Sequence, residues 1–363
     1  MSLPMSETPM EYDPTGRALA TAAQLREWLL AGPAQLRDGA EIGGVAGTLN
    51  SAGQADYVYG EITGYYLHWL AGSHLPDDPR RAANARAALA WCERHYGAGN
   101  PVPTRIALTP LPHDWRHETE FCFDLAMLVG GLSAAARAGL IEPPRGLLDT
   151  LLHRLLAFAT EGRLLPVASA SAAGLPDRWS TRAGPFLVKA AARILSAASW
   201  VTLPAPLETA CRGHLRAFAP RDVDATADPL HPTLYFLEGT LALAPEHAKG
   251  AREILQRLLV LADADGSLPE SLDTPEVRRS DIIAQTLRVG LILESPAASA
   301  ALQLDALAAA LVHLVRADGS ICFQPGAGRE QINVWCAMFA QQALSWYATQ
   351  AHASEAFAAT EIV

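Results

Sequence analysis

Lysine is almost missing from this chain. Of 28 basic residues only Lys189 and Lys249 are lysines, and 38 acidic residues leave a formal charge of −10. A chain of that balance offers no basic footprint for phosphate, so neither a nucleic-acid partner nor an anionic membrane surface is expected. The arginine and alanine excess follows equally from a GC-rich genome and carries no functional weight. Cysteine is scarce: Cys92, Cys122, Cys211, Cys322 and Cys336 are odd in number and scattered, with no CxxC pair. That excludes both a disulfide framework and a zinc site of ordinary spacing. No apolar run approaches the ~20 residues that cross a bilayer. The opening "MSLPMSETPMEYDPTGR" has no basic stretch leading into an apolar one, so the expectation is a soluble cytoplasmic protein without a membrane span.

The alternating pattern of half-buried strands is also nearly absent, and Ala/Leu-rich runs at helical spacing take its place. These runs repeat. "HRLLAFATEGRLLPVAS" from His153, "QRLLVLADADGSLPES" from Gln256 and "HLVRADGSICFQPG" from His313 share one plan, echoed weakly by "QLRDGAEIGG" from Gln35. Each is a helix that ends in an acidic residue plus Gly, followed by a Pro/Gly/Ser-rich loop, and Gly suits the left-handed position that closes helices.

After each loop comes a more apolar helix. The six are "YGEITGYYLHWL", "HETEFCFDLAMLVGGL", "TRAGPFLVKAAARIL", "HPTLYFLEGTLAL", "SDIIAQTLRVGLIL" and "INVWCAMFAQQALSWY". Amphipathic helices alternate with them near 17–36, 79–96, 143–161, 204–218, 246–263 and 297–316. Long loops precede the apolar helices and short turns follow them. Six such hairpins predict an all-α fold, an (α/α)6 toroid with parallel inner helices beginning near 57, 117, 181, 231, 280 and 332. The domain expectation is a flexible segment over 1–16, one toroid over 17–350 and a C-terminal tail over 351–363.

Aligned on one another, the inner helices carry polar residues seven apart, which is two turns on one face. The pairs are Glu61 with His68, His117 with Asp124, Arg182 with Lys189, His231 with Glu238 and Asp281 with Arg288; in the sixth, Val334 pairs with Gln341 and Asn333 is the nearest polar group. The lower tier therefore reads His68, Asp124, Lys189, Glu238, Arg288, Gln341, and four consecutive members alternate in sign. A buried charge needs a partner, so this tier is expected to form an ion-pair network across the lumen.

The helix N-termini and the long loops gather at the opposite mouth, where the positive ends of helices favour anions. Their inventory is Tyr57, Tyr59, Glu61 and Tyr65; His113, Trp115, Arg116, His117 and Glu120; Arg178, Trp179 and Arg182; His231 and Tyr235; Arg278, Arg279, Asp281 and Gln285; and Arg329, Glu330, Asn333 and Trp335. Aromatics stack on sugar rings and arginines clamp carboxylates, so an acidic oligo- or polysaccharide fits this set. His113, His117, Glu120 and Asp124 also form a possible metal set, but HExxH spacing is absent, and no metal or cofactor is expected. No GxSxG, GxGxxG, P-loop or Cys–His signature supports acyl-transfer, dinucleotide or nucleotide chemistry.

With the hairpins laid out, residues 17–350 resemble the six-hairpin toroid enzymes, among them unsaturated glucuronyl hydrolases, N-acylglucosamine 2-epimerases, uronyl epimerase domains, polysaccharide lyases and glycosidases. "YGEITGYYLHWL", "HPTLYFLEGTL", "SDIIAQTLRVGLIL" and "INVWCAMFAQQALSWY" are also similar to uncharacterised toroid proteins of bacterial surface-polysaccharide clusters. The "DGS" loops are similar to those of squalene-cyclase-like toroids, but Asp222-Val-Asp224-Ala departs from that group's DxDD acid. The resemblance implies a fold, and fold alone does not fix chemistry.

The expectation is a carbohydrate-active enzyme cleaving a glycosidic bond with Glu120 and Asp281 as opposed carboxyl groups, ~6.5–9.5 Å apart for inversion. Glu61 stands in reserve, and His117, His231 and Tyr235 orient or shuttle protons. Arg182 and Arg279 would take the substrate's charge, Trp115, Trp179 and Trp335 would stack on it, and Tyr65, Gln285 and Asn333 would complete the binding surface. The alternatives are a uronate lyase or epimerase with His117 or Tyr65 as the base, and a non-catalytic glycan-binding or biosynthetic accessory protein. A toroid completes its own core, so a monomer or weak dimer is expected.

Overall fold

The computed structural model describes residues 13–109, 114–168, 174–223, 229–293, 298–326, 331–349 and 360–363. Within them twelve α-helices alternate between two rings. The outer set is α1 (Pro14–Ala31), α3 (Pro79–Tyr96), α5 (Arg145–Leu155), α7 (Ala205–Ala217), α9 (Ala248–Leu259) and α11 (Ala298–Leu314). The inner set is α2 (Gly60–Ala71), α4 (Cys122–Arg137), α6 (Leu187–Leu195), α8 (Leu230–Leu243), α10 (Ser280–Leu293) and α12 (Val334–Thr349). Each inner helix packs on the next, and α12 packs back on α2, which closes the ring. Each inner helix also lies against the outer helix that follows it, and α12 lies against α1. The fold is the (α/α)6 toroid that the hairpin repeat predicts. No helix among the described residues is long and apolar enough to cross a membrane.

Local chemistry places the boundaries. Asp13 accepts from Gly16 N at 2.9 Å and Asp78 from Arg80 N at 2.9 Å, each followed by proline at the first helical position of α1 and α3. The four acidic-Gly loops put Gly39, Gly162, Gly266 and Gly319 at φ between 76° and 84°. At Gly266 a Cβ would also meet the Ala306 carbonyl oxygen at 2.1 Å, so both backbone angle and space demand glycine there. The inner helices are apolar all round because they are covered all round: α4 is buried from Cys122 to Ala136.

Two glycines let α2 and α4 touch backbone to backbone. A Cβ on Gly131 would meet Gly64 O at 2.1 Å, and one on Gly64 would meet the Met127 and Leu128 backbone at 2.4–2.6 Å. Neither obstacle is a movable side chain. Gly131→Ala is therefore expected to destabilise by about 1–3 kcal/mol, the overpacking scale, despite alanine's better helix propensity. Urea unfolding would check it, and an unchanged midpoint would mean that the crossing is looser than described.

At the end of the lumen away from the long loops lies a charged plug. Glu238 accepts from Lys189 Nζ at 2.7 Å and from Arg288 at 2.6 Å, with all three side chains buried. Burial would raise the Glu238 carboxyl, but Lys189 and Arg288 hold it below its ordinary value. Residues 360–363 fill the space beneath. Ile362 and Val363 are fully buried. Val363 O accepts from Lys189 and from Arg288 at 3.0 Å each, Arg193 donates to Ile362 O, and Gln342 Nε2 donates to Glu361 O at 2.8 Å.

This corrects the lower tier in one place. Lys189, Glu238 and Arg288 form the expected network, while Asp124 lies outside it, in the first turn of α4. His68 and Gln341 are buried as expected but make other bonds, Gln341 accepting from Trp69 Nε1 at 2.7 Å.

Among the described residues the long loops contribute six short strands. They are β1 (Thr48–Leu49), β2 (Tyr57–Tyr59), β3 (Arg105–Ala107), β4 (Ala159–Thr160), β5 (Arg163–Leu164) and β6 (Ile332–Asn333). β4 and β5 form a hairpin around Gly162. The other four join into a wall above the inner-helix N-termini. β6 pairs antiparallel with β1, Asp56 N donates to Thr48 O and Gly47 N to Tyr57 O, and β2 pairs antiparallel with β3.

Candidate functional site

A cavity of about 910 Å³ opens at the mouth formed by the inner-helix N-termini, lined by residues from all six hairpins. That volume is ordinary for a small-ligand site. Its lining is rich in aromatics, Tyr57, Trp115, Phe123, Trp179, Phe323 and Trp335 among them, and carries two clusters of ionisable groups at the inner-helix N-termini.

The first cluster is a carboxyl pair. Glu61 stands in the first turn of α2 and Asp124 in the first turn of α4, and the two groups lie within hydrogen-bonding reach of each other. Burial raises Asp124 well above the ordinary carboxylate range, and the adjacent Glu61 charge raises it further. Burial also raises Glu61, against the opposing effects of Tyr59, Lys189 and Arg105. Two carboxyls in contact repel each other when both are ionised, which favours one shared proton between them. Thr104 Oγ1 donates to Asp124 Oδ2 at 2.7 Å and fixes that side chain.

The second cluster is a histidine with a carboxylate behind it. His231 Nδ1 lies 2.6 Å from Gln285 Oε1 and 3.5 Å from Asp281 Oδ2. Both neighbours are acceptors, so Nδ1 carries the proton and Nε2 keeps its lone pair. Burial pushes His231 down to about 4, which leaves the imidazole neutral at physiological pH. Its ring packs against Tyr235, centroids 4.2 Å apart, and both residues line the cavity.

Asp281 is wholly buried and held by Arg279 at 3.1 and 2.6 Å, by Trp335 Nε1 at 3.2 Å and by Ile282 N at 3.0 Å. Burial alone would raise its carboxyl, but Arg279 and then His231 hold it at about 2. A carboxylate depressed on folding contributes stability above its unfolded value of ~3.9, and that contribution disappears as pH falls towards the folded value. Acid unfolding of the parent chain is therefore expected to steepen between pH ~4 and ~2. Asp281→Asn should flatten that limb, and an unchanged acid limb would show that Arg279 does not hold the group as described.

Several expected site residues lie elsewhere. Glu120 does not reach the cavity: it accepts from Val102 N at 3.1 Å and pairs with Arg154 of α5. The reason is that α4 starts at Cys122, which leaves Glu120 on extended backbone facing the neighbouring hairpin. Arg182 is exposed and pairs with Asp177, outside the lining. Asp281, Tyr65 and Gln285 are buried and do not line the cavity; Asp281 reaches it through His231, Arg279 and Trp335, and Gln285 through His231. Arg279 lines the cavity with its charge already committed to Asp281 and Glu270. His117 lines it from a 3-10 turn over Trp115–His117, not from a helix top. Trp115, Trp179, Asn333 and Trp335 line it too, as do Glu61, His231 and Tyr235. His113, Asp224, Arg329 and Glu330 fall outside the described residues.

The lining includes residues that sequence reasoning left out of the site. Asp124 was assigned to the wrong tier, and Arg105, Asp56, Asp114 and Glu270 went unnoticed. A lone basic residue between Thr104 and the apolar Ile106 in "PTRIAL" was the available signal for Arg105, and it is weak. Among the described residues, no three His, Cys, Asp or Glu side chains converge as a metal site.

Neither a family model nor a curated protein matches the sequence. Solved structures do match. A sugar epimerase from a ruminal bacterium is 13% identical, covering 91% of this chain and 99% of its own, with a TM-score of 0.65. An unsaturated glucuronyl hydrolase specific for heparin is 12% identical over 93% and 97%, at 0.61. A type II terpene cyclase from Scytonema is 14% identical over 94% and 100%, also at 0.61. At such identities the likeness is one of fold, and the chain has the fold that these toroids share.

Proposed function

We propose that this chain is a carbohydrate-active enzyme that moves protons on an acidic saccharide, in the manner of a uronate epimerase or lyase. One observation carries the reading: a neutral, tautomer-fixed imidazole and a proton-holding carboxyl pair open onto the same cavity. His231 Nε2 is the base. It takes the proton alpha to the sugar's carboxylate, and the electrons of the broken C–H bond pass into the carboxylate as an enediolate. The Glu61–Asp124 pair supplies its proton in return. Delivered to the opposite face of the same carbon, that proton completes an epimerisation. Delivered to the glycosidic oxygen as the C–O bond breaks, it completes a β-elimination. Asp281 keeps the imidazole oriented and stabilises the imidazolium formed in either case.

Simple hydrolysis by two opposed carboxyls is less well supported. Glu61 and Asp124 are too close for the ~5–5.5 Å of retention or the ~6.5–9.5 Å of inversion, and Glu120 faces away. The fold likeness to a sugar epimerase and a glucuronyl hydrolase agrees with saccharide chemistry without choosing between them.

Product analysis decides. Uronate-containing oligosaccharides incubated with the protein in D2O are expected to gain deuterium at the carbon bearing the carboxylate, or to yield an ultraviolet-absorbing double bond. New reducing ends with neither signal would move the assignment to hydrolysis. Binding without any product would make the chain a glycan-binding accessory protein.

A further inference from the structure

We infer that the four-stranded wall β6–β1–β2–β3 is the subsite that recognises the sugar, with Arg105 taking its carboxylate and the Asn333 amide reading a neighbouring pair of hydroxyls. The inference rests on the acidic-saccharide reading and deepens it.

Asn333 is the first observation. Its side chain is 1% exposed and lines the cavity, yet among the described residues neither Oδ1 nor Nδ2 has a hydrogen-bond partner. A buried amide left unpaired is costly, and native folds rarely keep one without a reason. The fold holds it rigidly: β6 pairs Asn333 with Thr48, and the next residue, Val334, donates its N–H to Gly47 O at 3.2 Å. One donor and one acceptor side by side match two adjacent hydroxyls, each of which can give and receive.

Arg105 is the second. It stands opposite Tyr59 across β2 and β3, its guanidinium 4.6 Å from the Tyr57 ring centroid and 5.7 Å from that of Tyr59. The two rings form a tray that fixes a planar cation. Among the described residues its one carboxylate contact, to Asp114 Oδ2, is 3.4 Å, long for a charge-assisted bond, and its Nε has no partner. Arg279, by contrast, is saturated. Arg105 also acts electrostatically on both Glu61 and Asp124, and all three line the same cavity, so a carboxylate bound to it shares that cavity with the pair.

The test is binding, read separately from turnover. Calorimetry and thermal shift at low salt would compare D-glucuronate, D-galacturonate and D-mannuronate with glucose, galactose and mannose. At least one uronate is expected to bind at least ~10-fold more tightly than its neutral counterpart. Arg105→Gln should abolish that preference, and Arg105→Lys should restore part of it. Asn333→Leu should weaken uronate and neutral sugar alike by ~10-fold while leaving the ligand-free melting temperature unchanged or raised, because it removes an unpaired buried amide. A structural role for Asn333 would lower that temperature instead, and that result overturns its assignment. Retained preference in Arg105→Gln, equal binding of neutral sugars by the parent, or no binding of any uronate overturns the assignment of Arg105. Intact preference with neither deuterium incorporation nor an ultraviolet-absorbing double bond would sink only the proton-transfer reading.

Discussion

Glu238→Gln is expected to unfold at a much lower denaturant concentration than the parent chain, with a loss of about 3–5 kcal/mol, the cost of leaving buried charge uncompensated. Glu238 is the buried carboxylate that faces Lys189 and Arg288, both of which are completely enclosed. Glutamine keeps the shape but offers one neutral acceptor and a donor that points at a cation. Burial already lowers Lys189 to about 7, so in the variant Lys189 is expected to shed its proton first. The stability deficit should therefore shrink as pH rises towards neutrality, because the folded variant sheds that charge before the parent does. Adding Lys189→Met to Glu238→Gln should recover part of the loss, since one orphaned cation is gone. A single variant as stable as the parent, or a deficit that grows with pH, would remove this plug from the account of what closes the toroid.

The second large effect concerns turnover. Glu61→Gln and His231→Asn are each expected to lower it by at least ~100-fold, the scale of a lost general acid or base. The pH profile carries more information than the rate. Under the proposed mechanism, activity requires His231 unprotonated and the carboxyl pair still holding its proton. The acid limb should therefore fall near pH 4, where His231 titrates, and the alkaline limb should follow the raised Asp124. In the residual activity of Glu61→Gln the charge that pushes Asp124 up is gone, so the alkaline limb should move to lower pH. If that limb stays put, the two carboxyls titrate independently and the shared-proton description is wrong.

The toroid was legible because its signals are long and repeated. Helical periodicity runs through twelve segments, and glycine marks the same left-handed position after four outer helices. The site was only half legible. Glu61, His231 and Tyr235 reach the cavity because α2 and α8 begin within a few residues of the positions read from the pattern. Asp124 was missed because the seven-residue alignment took His117 as the top of its helix. The backbone around Phe121 is extended and the helix starts at Cys122, which lifts Asp124 level with Glu61. The wall that carries Arg105 and Asn333 left no trace, because strands of two or three residues are too short for alternation to register. Their pairing joins segments far apart in the chain, and no local propensity encodes that.

Residues 360–363 have a consequence for traffic through the ring. With Ile362 and Val363 seated against Lys189, Arg193 and Arg288, the lumen is a blind well. A polymer cannot be drawn through it, and whatever enters must leave by the mouth it came in. On the proposed saccharide reading, such a well threads no strand and takes its ligand from one side. On that reading a product that lingers blocks the next arrival, so release at the mouth limits the rate wherever it is slower than the chemistry below it.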